Sequence, residues 1–213
     1  MLGFETLHYS GTRTNKGVDG RNPVDHNVRA MALDAAFVDD CPYGPGGLLL
    51  DEILEVDAAA GRVRARMPTH SDLPLTREQR NHPERHPSHV SGGLIVHMTG
   101  MVGFVHAYYV LGLRHADGWI GYGGAIHKAR FRALALPGEP IEIDCRSTRV
   151  RRGAARILAR YELRFLQGDT LVYEGDQTAL WMKVRVGDAA QGVKPAESRA
   201  REIWEQRTST TIA

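Results

Sequence analysis

Hydrophobic and polar residues alternate with a period of two in three segments, which is the pattern of half-buried β-strands. In the shortest segment, Val63, Ala65 and Met67 alternate with three arginines. The same alternation runs through residues 141–149 and 155–165. Together with apolar runs bounded by turn residues, the pattern predicts strands over 48–56, 62–67, 119–136, 141–149, 155–165 and 171–184.

The most apolar run, residues 94–113, predicts a helix that begins near Ser91. It is about long enough to cross a membrane. It also contains His97, Thr99 and His106, which makes insertion into a bilayer unfavourable. We therefore predict a helix that is buried on all sides within a protein and no association with a membrane.

The order of these elements indicates an α+β domain. Two strands precede a long loop over 68–89 and the helix, and the last four strands read as an antiparallel meander. A helix that is apolar on all sides must be covered by other elements, and the predicted strands offer a curved antiparallel sheet for this. We predict an N-terminal extension over 1–41, with a short helix over 28–38 after Asp25 and Asn27, a main domain over 42–186, and a C-terminal helix and tail over 187–213.

Net charge, cysteine content and histidine spacing argue against several classes of function. The formal net charge is only +2, so charge does not favour a nucleic-acid partner. The two cysteines, Cys41 and Cys145, form no disulfide framework, and the N-terminus lacks a signal-peptide pattern, so we expect a cytoplasmic protein. His82, His86 and His89 have the spacing of a helical zinc site, but the intervening prolines oppose that helix, and we expect no metal.

Three motifs carry a resemblance to a known family. They are residues 46–57 (GGLLLDEILEVD), 91–96 (SGGLIV) and 130–139 (RFRALALPGE). In this order they resemble the first strand, the start of the central helix and the strand-to-turn segment of FabZ-type β-hydroxyacyl-ACP dehydratases. The resemblance implies a hotdog fold, in which a curved sheet wraps a central helix. It also implies a thioester substrate carried by CoA or acyl carrier protein, no other cofactor, and sites shared between subunits of a homodimer or higher oligomer.

The chain departs from that family at the residues that perform dehydration. The family uses a loop His and a helix Glu, and His97 stands at the position of the Glu. For the loop position, His82, His86 and His89 compete. The motif His89-x-x-Gly92-Gly93 is similar to the His-Gly-Gly of related hotdog thioesterases, whose helix acid would fall at Gly100 and is absent.

Four residues are the catalytic candidates: His89, Gly92, Gly93 and His97. The amides of Gly92 and Gly93 would begin the helix and could stabilise an oxyanion, or the glycines could serve tight packing. His89 is the preferred base or water-positioning group, although a loop histidine can simply bind backbone. His97 is either a second catalytic group or a core residue, and we assign His106 to structure.

The substrate-binding candidates are Gly123, Gly124, Arg130 and Arg132. With Gly121, the two glycines could open a tunnel for an acyl chain or mark a bulge in the strand. The arginines could bind CoA phosphates or an acidic carrier protein, or form an ordinary solvated face.

These candidates predict an acyl-thioester hydrolase. The alternatives are a dehydratase or hydratase of β-hydroxyacyl thioesters and a noncatalytic acyl-binding protein. Exposed sheet edges separately favour a homo-oligomer.

Overall fold

The computed structural model describes residues 27–82 and 84–184, which form one antiparallel sheet and one long helix. The strands are β1 (Asn27–Ala32), β2 (Glu52–Asp57), β3 (Arg62–Met67), β4 (Trp119–Phe131), β5 (Ile141–Arg152), β6 (Arg156–Gln167) and β7 (Thr170–Lys183). The helices are α1 (Ala35–Asp40), α2 (Pro45–Leu48) and α3 (Gly92–His106), and α3 continues into a π-helical turn, Ala107–Leu111. The predicted C-terminal helix lies outside the described residues.

The strand order in the sheet is β1-β2-β3-β5-β6-β7-β4, with every neighbouring pair antiparallel. The predicted four-stranded meander is therefore wrong in one respect. Strands β5, β6 and β7 do form a meander, but β4 pairs with β7 at the edge, and β5 pairs with β3. Alternation shows which face of a strand is buried, and it carries no information about which strand lies beside it.

Helix α3 lies against the concave face of this sheet. It begins at Gly92 after the N-cap Ser91, and it buries apolar side chains along most of its length, among them Met98, Val102 and Val105. Inward residues of the strands, such as Ile143 and Phe165, complete the same core. The span Gly92–Leu111 is long and apolar enough to cross a membrane, but most of it is buried inside the protein, as expected of a core helix.

One face of α3 is less covered than predicted. Val96, His97, Gly100 and Phe104 are only half-buried, although a helix enclosed on all sides was expected. The reason is the position of β4 at the sheet edge, where most of its residues are exposed and no further strand of the described chain extends the cover. The helix and β4 therefore border a groove.

The N-terminal part of the described chain differs from the prediction. Residues 28–32 belong to β1, which pairs with β2, and the helix that follows is α1. Asp34, rather than Asp25 or Asn27, caps this helix by accepting a hydrogen bond from the amide of Ala36 at 2.9 Å. Residues 27–41, which the prediction gave to an extension, thus include a strand of the main sheet.

The first predicted strand also begins later than expected. Pro45–Leu48 forms the short helix α2, and Leu49 ends it with a φ of 54°, in the left-handed region. The strand then starts at Glu52. Proline at the first helical turn and glycines after it favour a turn over an extended strand here.

His106 is a structural residue at the C-terminal end of α3. Its side chain is fully buried, Nε2 donates to the carbonyl of Gly61 at 3.1 Å, and the hydroxyl of Tyr161 donates to Nδ1 at 3.3 Å. Burial lowers the pKa of His106 to about 4; the Gly61 hydrogen bond opposes this shift, and the charge of Arg152 adds to it. The neutral ring joins the helix to the β2–β3 turn.

Candidate functional site

Two cavities lie between α3 and β4. The N-terminal cavity, of about 230 Å³, is lined by His89, Gly92, Ile95, Phe131, Leu134 and Val172, among others. The central cavity, of about 450 Å³, lies further along the helix and is lined by Tyr43, His97, Gly100, Phe104, Gly123 and Gln177, among others. The second volume is within the range of small-molecule pockets.

The N-terminal cavity brings together His89 and Gly92. His89 Nδ1 lies 2.9 Å from the carbonyl oxygen of Pro87, which can only accept, so Nδ1 carries the proton of the neutral ring. Nε2 is then unprotonated and able to accept a proton. Gln79 holds the backbone of His89 through two hydrogen bonds of 2.9 and 3.2 Å, and this fixes the loop that presents the ring.

The two glycine amides at the start of α3 differ in their partners. The amide of Gly93 donates to Ser91 Oγ at 3.3 Å, and Gly93 is exposed and lines neither cavity. Among the described residues, the amide of Gly92 has no acceptor. A Cβ at Gly92 would lie 3.2 Å from the ring of Phe131, so glycine lets this ring approach the helix end. Of the two glycines, Gly92 therefore lines the N-terminal cavity and Gly93 does not.

His97 lies in the central cavity rather than beside His89. Its Nε2 donates to the carbonyl oxygen of Gly47 at 2.6 Å, and its ring meets that of Tyr43 edge to face at 5.3 Å. This hydrogen bond leaves Nδ1 as the acceptor of the neutral ring. His89 and His97, the two histidines among the catalytic candidates, thus line separate cavities.

The glycines of β4 have different roles. A Cβ at Gly123 would meet nothing within 4 Å, whereas a Cβ at Gly121 would lie 2.4 Å from the ring of Trp181. Gly124 lies at a shift in the β4–β7 register between Gly123 and Ala125. All three line the central cavity. Gly123 therefore leaves open space, Gly124 marks a bulge, and Gly121 accommodates Trp181.

Arg130 and Arg132 line neither cavity. They lie beside Glu174 on β7, where Lys128 forms an ion pair of 2.9 Å, Arg130 a longer one of 3.9 Å, and Arg132 a hydrogen bond. The hydrogen bonds from Lys128 and Arg132 lower the pKa of Glu174. Three cations around one carboxylate leave a positive surface next to the exposed edge of the sheet.

Metal coordination has no support in residues 27–82 and 84–184, where no three His, Cys, Asp or Glu side chains form a group suited to an ion. His82 and His86 instead pair through their backbones, and the rings of His86 and His89 lie 5.0 Å apart.

Sequence reasoning missed two polar residues of the central cavity, Thr99 and Gln177. The signal for Gln177 was present, because it occupies an inward position in the alternation of β7, between Gly175 and Ala179. A polar residue in an inward row is unusual and marks either a buried hydrogen bond or a ligand contact.

Comparison with known proteins identifies the architecture. No family model matches the chain. The dehydratase heterocomplex of Xenorhabdus doucetiae superposes with a TM-score of 0.51 at 15% identity, covering 72% of this chain and 95% of that one. The chain has the hotdog fold. A thioesterase from Haemophilus influenzae (TM-score 0.47, 14% identity, 70% of this chain and 91% of that one) and one from Pseudomonas aeruginosa (0.46, 15%, 66% and 87%) are also similar to it.

The positions of the two cavities can be given relative to the elements of the hotdog fold. Its central helix is α3, its wrapper is the seven-stranded sheet, and both cavities lie along the side of the helix that faces β4. A fold does not determine a reaction, and the chemistry depends on the side chains at these cavities.

Proposed function

We propose that this protein hydrolyses acyl thioesters in the N-terminal cavity. The observation that carries the proposal is that His89, with Nε2 able to accept a proton, and Gly92, with an amide that has no acceptor among the described residues, line one apolar cavity. Hydrolysis of a thioester needs a base for water and a donor for the carbonyl oxygen, and these two residues supply both.

In the proposed mechanism, the thioester carbonyl oxygen accepts a hydrogen bond from the Gly92 amide. The helix dipole adds positive potential at this position, which favours the negative charge that develops on the oxygen. His89 Nε2 takes a proton from water as the water oxygen attacks the carbonyl carbon. The carbon–sulfur bond then breaks, and the sulfur leaves as a thiol with the proton that His89 held. The products are a carboxylic acid and the free thiol.

The acyl group is proposed to extend from this point along α3 into the central cavity. Apolar and aromatic side chains line that cavity, including Phe104 and Trp181, and Gly100 and Gly123 leave space where side chains would project. The positive surface formed by Lys128, Arg130 and Arg132 is proposed to attract the phosphates of CoA or an acidic carrier protein.

A second copy of the chain is proposed to cover the open groove. Strand β4 is a 13-residue strand at the sheet edge, and its apolar side chains Tyr122, Ile126 and Phe131 are 50–55% exposed. A long apolar edge favours pairing with another strand. Antiparallel pairing of β4 with its copy about a two-fold axis would satisfy the edge and enclose both cavities.

The experiment is a thiol-release assay on a series of saturated acyl-CoA substrates of increasing chain length. We expect turnover by the wild type and a loss of about 10²- to 10⁴-fold in kcat for His89→Gln. His70→Gln is the matched control, because His70 is an exposed histidine of the same loop that lines neither cavity. Equal activity of His89→Gln and the wild type would refute the mechanism, and acyl-CoA binding without turnover would favour a noncatalytic binding protein.

His97 favours one alternative, dehydration or hydration of β-hydroxyacyl thioesters. Its imidazole lines the central cavity with Nδ1 as acceptor, so a second acid–base group is present near the proposed acyl path. Incubation with 3-hydroxyacyl-CoA separates the two reactions, because dehydration forms a conjugated enoyl thioester without releasing thiol. Enoyl formation that depends on His97 would support the alternative.

A further inference from the structure

The central cavity contains a polar pair, Thr99 on α3 and Gln177 on β7. Thr99 is 3% exposed. Its hydroxyl lies 2.7 Å from the Val96 carbonyl oxygen and 2.8 Å from Gln177 Oε1, and Gln177 Nε2 donates to the Thr99 carbonyl oxygen at 3.1 Å. The carbonyl can only accept, so it fixes the orientation of the Gln177 amide. Both side chains line a cavity that is otherwise mostly apolar, aromatic or glycine.

This arrangement leaves one donor unused. An amide NH₂ group carries two hydrogens, and the carbonyl of Thr99 takes one of them. Within the described ranges, 27–82 and 84–184, no protein acceptor takes the second. The hydrogen bond from Nε2 to the Thr99 carbonyl also holds the side chain against α3, so a ligand would not have to order it on binding.

We infer that Gln177 donates this hydrogen to an oxygen on the acyl group, which makes the substrate an oxygenated acyl thioester. The inference rests on the proposed function for the position of the thioester at Gly92. Thr99 follows Gly92 by seven residues, which corresponds to about 10 Å along the helix axis. The oxygen is therefore distant from the thioester, as in a hydroxyl at the end of a medium-length chain, and is not the 3-hydroxyl that a dehydratase would act on.

The space around the pair fits such a group. Cβ atoms at Gly100, Gly103 and Gly123 would meet nothing within 4 Å, so the cavity has room beside Gln177. Ile126 is the cross-strand neighbour of Gln177 on β4, and Tyr161 is its neighbour on β6. An acyl chain placed there would have mostly apolar contacts along its length and a hydrogen-bond donor at Gln177.

The test measures binding without turnover, so that it does not depend on the reaction. Three CoA thioethers, which cannot be hydrolysed, are compared by calorimetry: 8-hydroxyoctyl-CoA, octyl-CoA and 3-hydroxyoctyl-CoA. We expect the wild type to bind the 8-hydroxy compound about tenfold more tightly than the other two, equivalent to about 1.4 kcal/mol. Equal affinities for all three would overturn the inference. Thiol release from acyl-CoA would still test the proposed function separately.

Two variants assign the preference to Gln177. Gln177→Met keeps the length of the side chain and removes the donor, so we expect the tenfold preference to disappear while the affinity for octyl-CoA is retained. Gln177→Glu replaces the amide by a carboxylate, which is a hydrogen-bond acceptor, and it takes the place of Gln177→Met if that variant does not fold. A preference that survives in either folded variant would contradict the inference.

A structural glutamine provides the control. Gln167 on β6 contacts the backbone of Leu136 and Glu139 and lines neither cavity. Gln167→Met is expected to lower the melting temperature without changing the preference for the 8-hydroxy compound. If it changed the preference as much as Gln177→Met, the effect would be structural and the inference would be wrong.

Discussion

Acid should destabilise this protein through His106, which is the most deeply buried histidine of the described chain. Burial lowers the pKa of His106 from 6.5 to about 4 in the folded state. Because the folded pKa lies below the unfolded one, the unfolded state binds the proton more readily. The contribution of the neutral ring to stability is complete above about pH 6.5 and is lost as the pH falls toward 4.

The size of the effect follows from the shift. Each unit is worth about 1.4 kcal/mol, so the difference of about 2.5 units amounts to about 3 kcal/mol of unfolding free energy. Urea denaturation at several pH values between 7.5 and 4 measures this loss. His106→Gln has no titrating group, and its amide can still donate to the Gly61 carbonyl. We expect this variant to lose about 3 kcal/mol less than the wild type over the same range.

His70→Gln is the control, because His70 is exposed and its replacement should leave the pH dependence of the wild type unchanged. If His106→Gln and the wild type lost stability in parallel, the folded protein would have to accommodate a charged His106. The hydrogen bonds from His106 to Gly61 and from Tyr161 to His106 would then not describe the protein in solution.

Three further predictions concern the helix start and β4. Gly121→Ala should lower the unfolding free energy by about 1–3 kcal/mol in urea denaturation, because its Cβ would lie 2.4 Å from the ring of Trp181. Gly123→Ala should leave the unfolding free energy unchanged, because a Cβ there would meet nothing within 4 Å. Equal losses in the two variants would contradict the close contact between Gly121 and Trp181. Ser91→Ala should cost about 1 kcal/mol of unfolding free energy by removing the N-cap of α3, and an unchanged free energy would mean that Ser91 does not cap the helix. Light scattering should show a dimer for the wild type, as proposed above, and a monomer for Ile126→Lys, and a dimer in both would place the interface elsewhere.

Much of the fold was predictable because strand and helix periods are properties of local sequence. Strand β3 was predicted with its observed bounds, and the helix was predicted to begin near its observed N-cap, Ser91. The position of β4 beside β7 was not predictable from the pattern, since pairing is a tertiary property that alternation does not encode. The strand β1 was missed because its residues were assigned to a helix whose cap, Asp34, lies further along the chain.

The candidate site was predictable in its components and not in their grouping. His89 and Gly92 share a cavity because they are three residues apart at the entry to one helix. His97 lies about one and a half turns further along the helix, where a different set of strand residues forms the wall. Gln177 is 78 residues from its partner Thr99, and only the folding of β7 against α3 reveals the pair.

The most direct test of the proposed mechanism is a crystal structure with an acyl-CoA analogue in which a methylene group replaces the thioester sulfur. This ketone keeps the carbonyl and cannot be hydrolysed. We expect the carbonyl oxygen at hydrogen-bond distance from the amide of Gly92, with His89 Nε2 on the side from which water attacks. A carbonyl bound away from the start of α3 would contradict it.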